Sequence, residues 1–255
     1  MNKLSFLIIF AVFMILTTGC GGFYNSIEKD KVMVKKISNE RESNEVNYEG
    51  VLSQEAVKTL SINAVNKYFN EQLTLNQVQF ELMAADQNKL KELVEQNIAS
   101  RASQKDREDA KTELNNIPDG LYYVTMTITP TRKKGYDIVL NARDGNVLKI
   151  SNFQKSDYQT TVDINKNIPS SKITETSGKF IQDKEGYSLS DLSADFGSFS
   201  SADEAEIYYR SKKDNSLKYQ ITVNLTSMKV TGFNKDLMVM LKNYPRSPVN
   251  LQNQD

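Results

Sequence analysis

Histidine and tryptophan are absent from this 255-residue sequence, and cysteine occurs once. Without histidine the chain lacks the commonest general base and the commonest neutral metal ligand. Ser-His-Asp and Cys-His catalysis and His-rich zinc sites are therefore excluded. No Gly-rich phosphate loop occurs, and scattered Tyr residues without Trp offer no aromatic platform for sugars. An excess of one charge is missing too: 32 Lys and Arg face 32 Asp and Glu, so no strong field favours nucleic acid. The basic stretches Lys29 to Lys36 and Arg132-Lys133-Lys134 lie among acids or in a turn and read as solvated faces. What survives is carboxylate chemistry, either a glycosidase-like acid pair or an oxygen-ligand calcium site. Asp106-Arg107-Glu108-Asp109 and Glu204-Ala205-Glu206 are dense in acids but interleaved with nearby bases, and neither has calcium-loop spacing. They read as charged faces, and no catalytic residue, metal site or cofactor site is expected.

The amino terminus is more informative. Lys3 precedes the apolar run Leu4 to Leu16, which leads into Thr17-Thr18-Gly19-Cys20. A charged start, an apolar stretch and small residues before a cleavage point make a secretory signal. The run is shorter than the roughly 20 residues a membrane-spanning helix needs. Leu16-Thr17-Thr18-Gly19-Cys20 resembles the lipobox of bacterial lipoproteins, although Thr17 stands where that motif usually carries Leu. The resemblance implies cleavage of residues 1–19 and attachment of diacylglycerol and an acyl chain such as palmitate to Cys20, which also takes the one thiol out of reach of chemistry. Two or more chains give stable anchoring, at about 0.8 kcal/mol per buried methylene. The expected location is extracytoplasmic, on the cell membrane, or on an outer membrane if the host has one. Loss of Lys3 leaves a formal balance of −1.

Residues 20–50, rich in Glu, Lys, Asn and Ser, read as a flexible tether in which only Val32-Met33-Val34 suggests a strand. A first α+β module is expected over 51–153. Ser53 can cap a helix whose apolar stripe is Val57, Leu60, Ala64, Val65 and Tyr68. Leu73 to Leu82 reads as a turn and a strand, and 84–116 as an inserted helical hairpin or loosely docked arm with the stripe Leu90, Leu93, Val94, Asn97 and Ile98. Pro118-Asp119-Gly120 turns into a strand at Leu121 to Thr129. A turn at Lys134-Gly135, a strand at Tyr136 to Ala142, an Asp144-Gly145 turn and a strand at Asn146 to Ser151 complete an antiparallel meander. A linker follows at 154–168, then a second α+β module at 169–233, and a short apolar helix with a polar tail at 234–255. The Leu237 to Leu241 run is a candidate contact, with burial against the second module the favoured reading.

The second module repeats the first. Lys67-Tyr68-Phe69 and Leu73 to Val78 recur as Lys179-Phe180-Ile181 and Tyr187 to Leu192, Tyr122-Tyr123 as Tyr208-Tyr209, and Tyr136 to Asn141 as Tyr219 to Asn224. Tyr136-Asp137-Ile138-Val139-Leu140-Asn141-Ala142-Arg143-Asp144-Gly145-Asn146-Val147-Leu148 resembles the closing hairpin of PepSY-type domains, which also open on an amphipathic helix, here Gln54 to Asn70. The resemblance departs at Asn141, at Asp144 and at Ser227-Met228 of the second repeat. It implies a small non-catalytic module of exported proteins and protease propeptides, proposed to bind or restrain peptidases.

Two functions follow as expectations. One is a non-catalytic binding or regulatory lipoprotein for another envelope protein. The other is a solute-binding lipoprotein or a carboxylate-based extracytoplasmic enzyme, which would depend on a particular acid such as Asp137 or Asp144.

Overall fold

The structure is a computed structural model describing residues 35–36, 50–98, 102–130, 133–154, 169–201 and 203–243. The signal segment, Cys20, the Val32–Val34 strand, the linker beyond Gln154 and the tail beyond residue 243 lie outside the described residues, as does all of the tether but its Lys35-Lys36 pair and its last residue.

Helix α1 (Gln54–Phe69) starts where the backbone amide of Ala56 donates to the Ser53 hydroxyl, and ends at the left-handed Asn70. It buries Val57, Ala64, Val65 and Tyr68 on one face, whereas the expected Leu60 is only half-buried. A single 3₁₀ turn at Leu75–Gln77 stands between this helix and β2 (Val78–Ala85), so the strand begins later than the apolar spacing suggests. The chain then leaves the sheet for α2 (Gln87–Ile98) and α3 (Gln104–Asn115) and returns as β3 (Leu121–Ile128), β4 (Lys134–Asn141) and β5 (Val147–Gln154). Lys134-Gly135 is not a turn. Both residues pair with β5, and Gly135 is needed because a Cβ there would meet the Phe153 ring at 2.4 Å.

In the second module α4 (Ser170–Phe180) runs on into a π-helical turn at Ile181–Glu185 and stops at Gly186, whose φ is 68°. Strands β6 (Leu192–Ser201), β7 (Glu204–Ser211), β8 (Leu217–Asn224) and β9 (Lys229–Lys235) follow, then α5 (Leu237–Asn243). With β1 (Lys35–Lys36) paired to β2, the strands among the described residues form one antiparallel nine-stranded sheet in the order β1-β2-β3-β4-β5-β9-β8-β7-β6. The protein is thus α+β, two helix-plus-antiparallel-sheet modules with a helical insertion in the first. The last strands of the two meanders join edge to edge.

That join shows the duplication directly. Ile150 pairs with Phe233, 83 positions on, while Lys149 pairs with Asn234 and Ser151 with Gly232, so the register is symmetric about Ile150 and Phe233. The same offset carries the Tyr136–Asn141 strand onto Tyr219–Asn224, and the bulge after Val139 onto the bulge after Thr222. One expected correspondence shifts. Val124 sits opposite Ile138 as Ile207 sits opposite Ile221, which places Tyr208 and Tyr209 at the positions of Thr125 and Met126. Tyr122 and Tyr123 correspond to Ala205 and Glu206, because strand register follows the buried alternation and not the matching Tyr pair.

Helices α1 and α4 cover one face of the sheet over a core shared by both modules. In it Tyr68 lies 4.8 Å from Phe233, and Phe180 5.7 Å from Phe233, between ring centres. The inserted hairpin docks firmly on the opposite face: Leu90, Val94, Ile98, Ala110 and Leu114 pack with Leu121, Val139 and Leu148. Leu237, Met238 and Met240 of α5 complete this second core, so the apolar run is buried against the hairpin of the first module as well as against β8 and β9 of the second.

Candidate functional site

The face of the sheet opposite α1 and α4 carries most of the polar side chains that the strands hold in fixed register. Residues paired directly across antiparallel strands project from the same face. One row therefore runs Glu81, Thr125, Asp137, Ser151, Gly232, Thr222 and Glu206 across seven strands. The next row runs Met83, Tyr123, Val139, Lys149, Asn234, Gln220, Tyr208 and Asp195. The hairpin and α5 cover the apolar part of the second row, around Tyr123 and Val139. Thr125, Asp137, Ser151 and Lys149 remain half-buried beside them.

Hydrogen bonds order this surface. The Thr125 hydroxyl donates to Asp137 Oδ1 at 3.0 Å. The Gln220 amide donates to Thr222 Oγ1 at 2.9 Å, and the Asn234 amide donates to Gln220 Oε1. Glu206, 7% exposed, takes a hydrogen bond from the Tyr208 hydroxyl at 3.0 Å and an ion pair from Lys242 of α5 at 2.9 Å. Burial holds the Lys149 ammonium below its usual pKa, against the pull of Asp137 and together with the repulsion of Lys242. Burial and Glu206 push the Tyr208 phenol well above its own.

Asp137 and Glu206 do not assemble into a catalytic pair here. Asp137 on β4 and Glu206 on β7 occupy the same row four strand spacings apart, about 19 Å at ~4.8 Å per step. Glycosidase carboxyl groups stand within about 10 Å of each other. Asp144 lies in the β4–β5 turn, where its Oδ1 accepts the Asn146 amide at 2.8 Å. Among the other carboxylate clusters, Asp106 on α3 approaches Arg210 of β7 at 4.0 Å, and Glu204 accepts the Thr231 hydroxyl at 2.9 Å. Among the described residues no group of three or more acids could hold a metal ion.

A second cluster escaped the sequence reading. Asp236, at the left-handed corner between β9 and α5, faces Glu113 of α3, Lys218 of β8, Lys235 and Glu185. Burial and the neighbouring Glu113 raise its pKa to about 6, Lys235 and Lys218 oppose the rise, and Glu185 adds to it. Lys218 reaches Glu113 at 3.4 Å and Lys235 reaches Glu185 at 2.7 Å, while Tyr68 of α1 donates to Glu185. A repeat signal was present in the sequence, since Glu185 stands 114 positions after Glu71, as Leu192 stands after Val78. Glu71 is held by the Tyr136 hydroxyl at 2.9 Å and Lys134 at 2.7 Å.

No protein-family model matches the sequence, and a search of curated proteins gives no match. Among solved structures the chain is similar to the Bacillus megaterium YpeB C-terminal domain, at 12% identity and TM-score 0.43, over 80% of this chain and 71% of that one. It is also similar to a protein of unknown function from Clostridium leptum, at 12% identity and TM-score 0.36, over 79% of this chain and 99% of that one. Likenesses this distant say nothing about activity.

Proposed function

We propose that this chain is an exported, lipid-anchored lipoprotein that acts without catalysis, binding or regulating another envelope protein through the polar face of its sheet. The observation that carries the reading is the pair of side-chain rows crossing the strands. Their first-module part, Thr125, Asp137, Ser151 and Lys149, is ordered and half-buried beside apolar packing, which suits the rim and hydrogen-bonding part of a protein interface, whereas Glu206, Gln220, Thr222 and Asn234 are buried. Cys20 supplies the anchor, and the PepSY resemblance makes a peptidase the first class of partner to seek. The absence of histidine argues against histidine-based hydrolysis by this surface.

Cross-linking pull-downs from native membranes test the reading, using the parent chain, Cys20→Ala, Asp137→Lys and the exposed control Lys111→Glu. The expected result is one discrete envelope protein captured by the parent and the control. Recovery should fall about tenfold with Asp137→Lys, the loss expected for one interface residue worth ~1.4 kcal/mol. It should also fall when the anchor is removed. Equal capture by the Asp137→Lys chain would remove the sheet face from the proposal.

A further inference from the structure

Two neighbouring side chains of the polar face have no polar partner among the described residues. Lys149 and Ser151 stand two apart on β5, so both project from the face opposite α1 and α4. Both are half-buried, and neither the ammonium nor the hydroxyl makes a hydrogen bond or a close ion pair.

Their surroundings explain why. Asp137, the carboxylate opposite Ser151, takes its hydrogen bond from Thr125 instead. Gly232, opposite Ser151 on β9, has no side chain to offer it. Lys242 is engaged by Glu206 at 2.9 Å and repels Lys149. The other described lysines in half-buried or buried positions, Lys58, Lys134, Lys184, Lys218 and Lys235, each donate to a carboxylate or amide oxygen. A cation withdrawn from water without a counter-ion is costly. Burial accordingly holds the Lys149 ammonium below its usual pKa, with Asp137 opposing the effect and Lys242 adding to it.

From this pair we infer that Lys149 and Ser151 form a carboxylate-binding subsite, which takes an Asp or Glu side chain of the protein bound at the polar face. The inference rests on the polar face being the partner-binding surface. One ammonium and one hydroxyl match the two oxygens of a carboxylate. Their Cα atoms are about 6.7 Å apart along the strand, a gap that the flexible four-carbon lysine stem can close. A doubly charged phosphate would be repelled by Asp137, on the same row as Ser151. A single negative charge is repelled less and gains the field of Lys149 and Lys242. Once the partner covers the face and water leaves, the new ion pair strengthens.

Competition labelling tests it in the full chain, purified in detergent. Trinitrobenzenesulfonate reacts with uncharged amines, and peptide mass spectrometry reads each lysine separately. The probe is N-acetylglutamic acid α-amide, with its isostere N-acetylglutamine amide as the neutral control. Saturating probe is expected to slow labelling of Lys149 about tenfold, since a pKa raised by about one unit leaves a tenth of the free amine. Labelling of the exposed Lys111 stays unchanged, and the glutamine amide protects neither lysine. Ser151→Ala should need about tenfold more probe for half-protection, the loss of a hydrogen bond to a charged acceptor. Absence of protection at Lys149, equal protection by the glutamine amide, or an unchanged requirement in Ser151→Ala would overturn the inference. Pull-downs separate it from the reading it rests on. Lys149→Gln should lower partner recovery about tenfold, with an unchanged circular dichroism spectrum. Recovery unchanged by Lys149→Gln but reduced by Asp137→Lys would overturn the subsite and keep the face as the binding surface. Protection of Lys149 with no partner captured would keep the carboxylate site and defeat the face as a partner-binding surface.

Discussion

Asp236 is a residue whose charge state bears directly on stability. Its carboxyl titrates at about 6 in the folded chain because burial and Glu113 disfavour the anion. The unfolded chain releases that proton near pH 4. The folded form thus holds the proton more tightly, so the group favours folding below about pH 4. That contribution is lost as the pH rises through about 6, and above this the buried anion opposes folding. Asp236→Asn should raise Tm near neutral pH by about 2–6 °C, or ~1–2 kcal/mol after allowance for solvent screening. The gain should vanish near pH 4, and calorimetry at both pH values checks it. Glu185 acts in the opposite sense: it is paired with Lys235 at 2.7 Å, with both side chains almost wholly covered. Glu185→Gln should cost about 3–5 kcal/mol because the lysine is left charged and unpaired, read as a lower urea midpoint. Asp236 was not legible in the sequence, and Glu185 was legible only through its repeat offset from Glu71. Helix caps such as Ser53 are local, whereas the Tyr68, Glu185 and Lys235 contact joins positions over a hundred residues apart.

Elements were readable where one face alone is buried. Helix α1, the insertion and the β4–β5 hairpin follow from apolar spacing and turn residues. The start of β4 did not, because Lys134 and Gly135 look like a turn until Phe153 is laid across the glycine. The docking of the insertion was also hidden, since α3 is polar along most of its length and buries only Ala110 and Leu114. Its role emerges from what it touches. Growing out of the first module, it reaches Arg210 and Lys218 of the second through Asp106 and Glu113, and α5 packs beneath it. The hairpin is a strap across the joint between the modules. Leu90, fully buried at its base, should lose about 2–5 kcal/mol on change to Ala. If the strap reading holds, this variant also speeds hydrogen exchange of the Leu237–Leu241 amides, whereas a merely appended hairpin would leave those amides as slow as before.

At the scale of the whole molecule, the polar rows of the candidate site exist only because two meanders share one sheet, and the sequence could show the repeat without showing how the copies meet. The described residues fall within a single compact unit. Its modules are tied by the β5–β9 ladder, by the shared core around Phe233, and by the strap on the other face. Separable domains would need an interface that opens without exposing a core. Here separation would expose Phe233, which is 1% exposed and lies against Tyr68 of one module and Phe180 of the other. Unfolding should therefore be a single transition with coincident fluorescence and circular dichroism curves. Phe233→Ala should shift that whole transition by about 3–5 kcal/mol without splitting it. Two resolved transitions in the parent chain would mean that the modules are held by their own cores and the joint is weak. The polar rows would then be able to break at the middle, and a partner spanning them would be acting on a hinged surface and not on a rigid one.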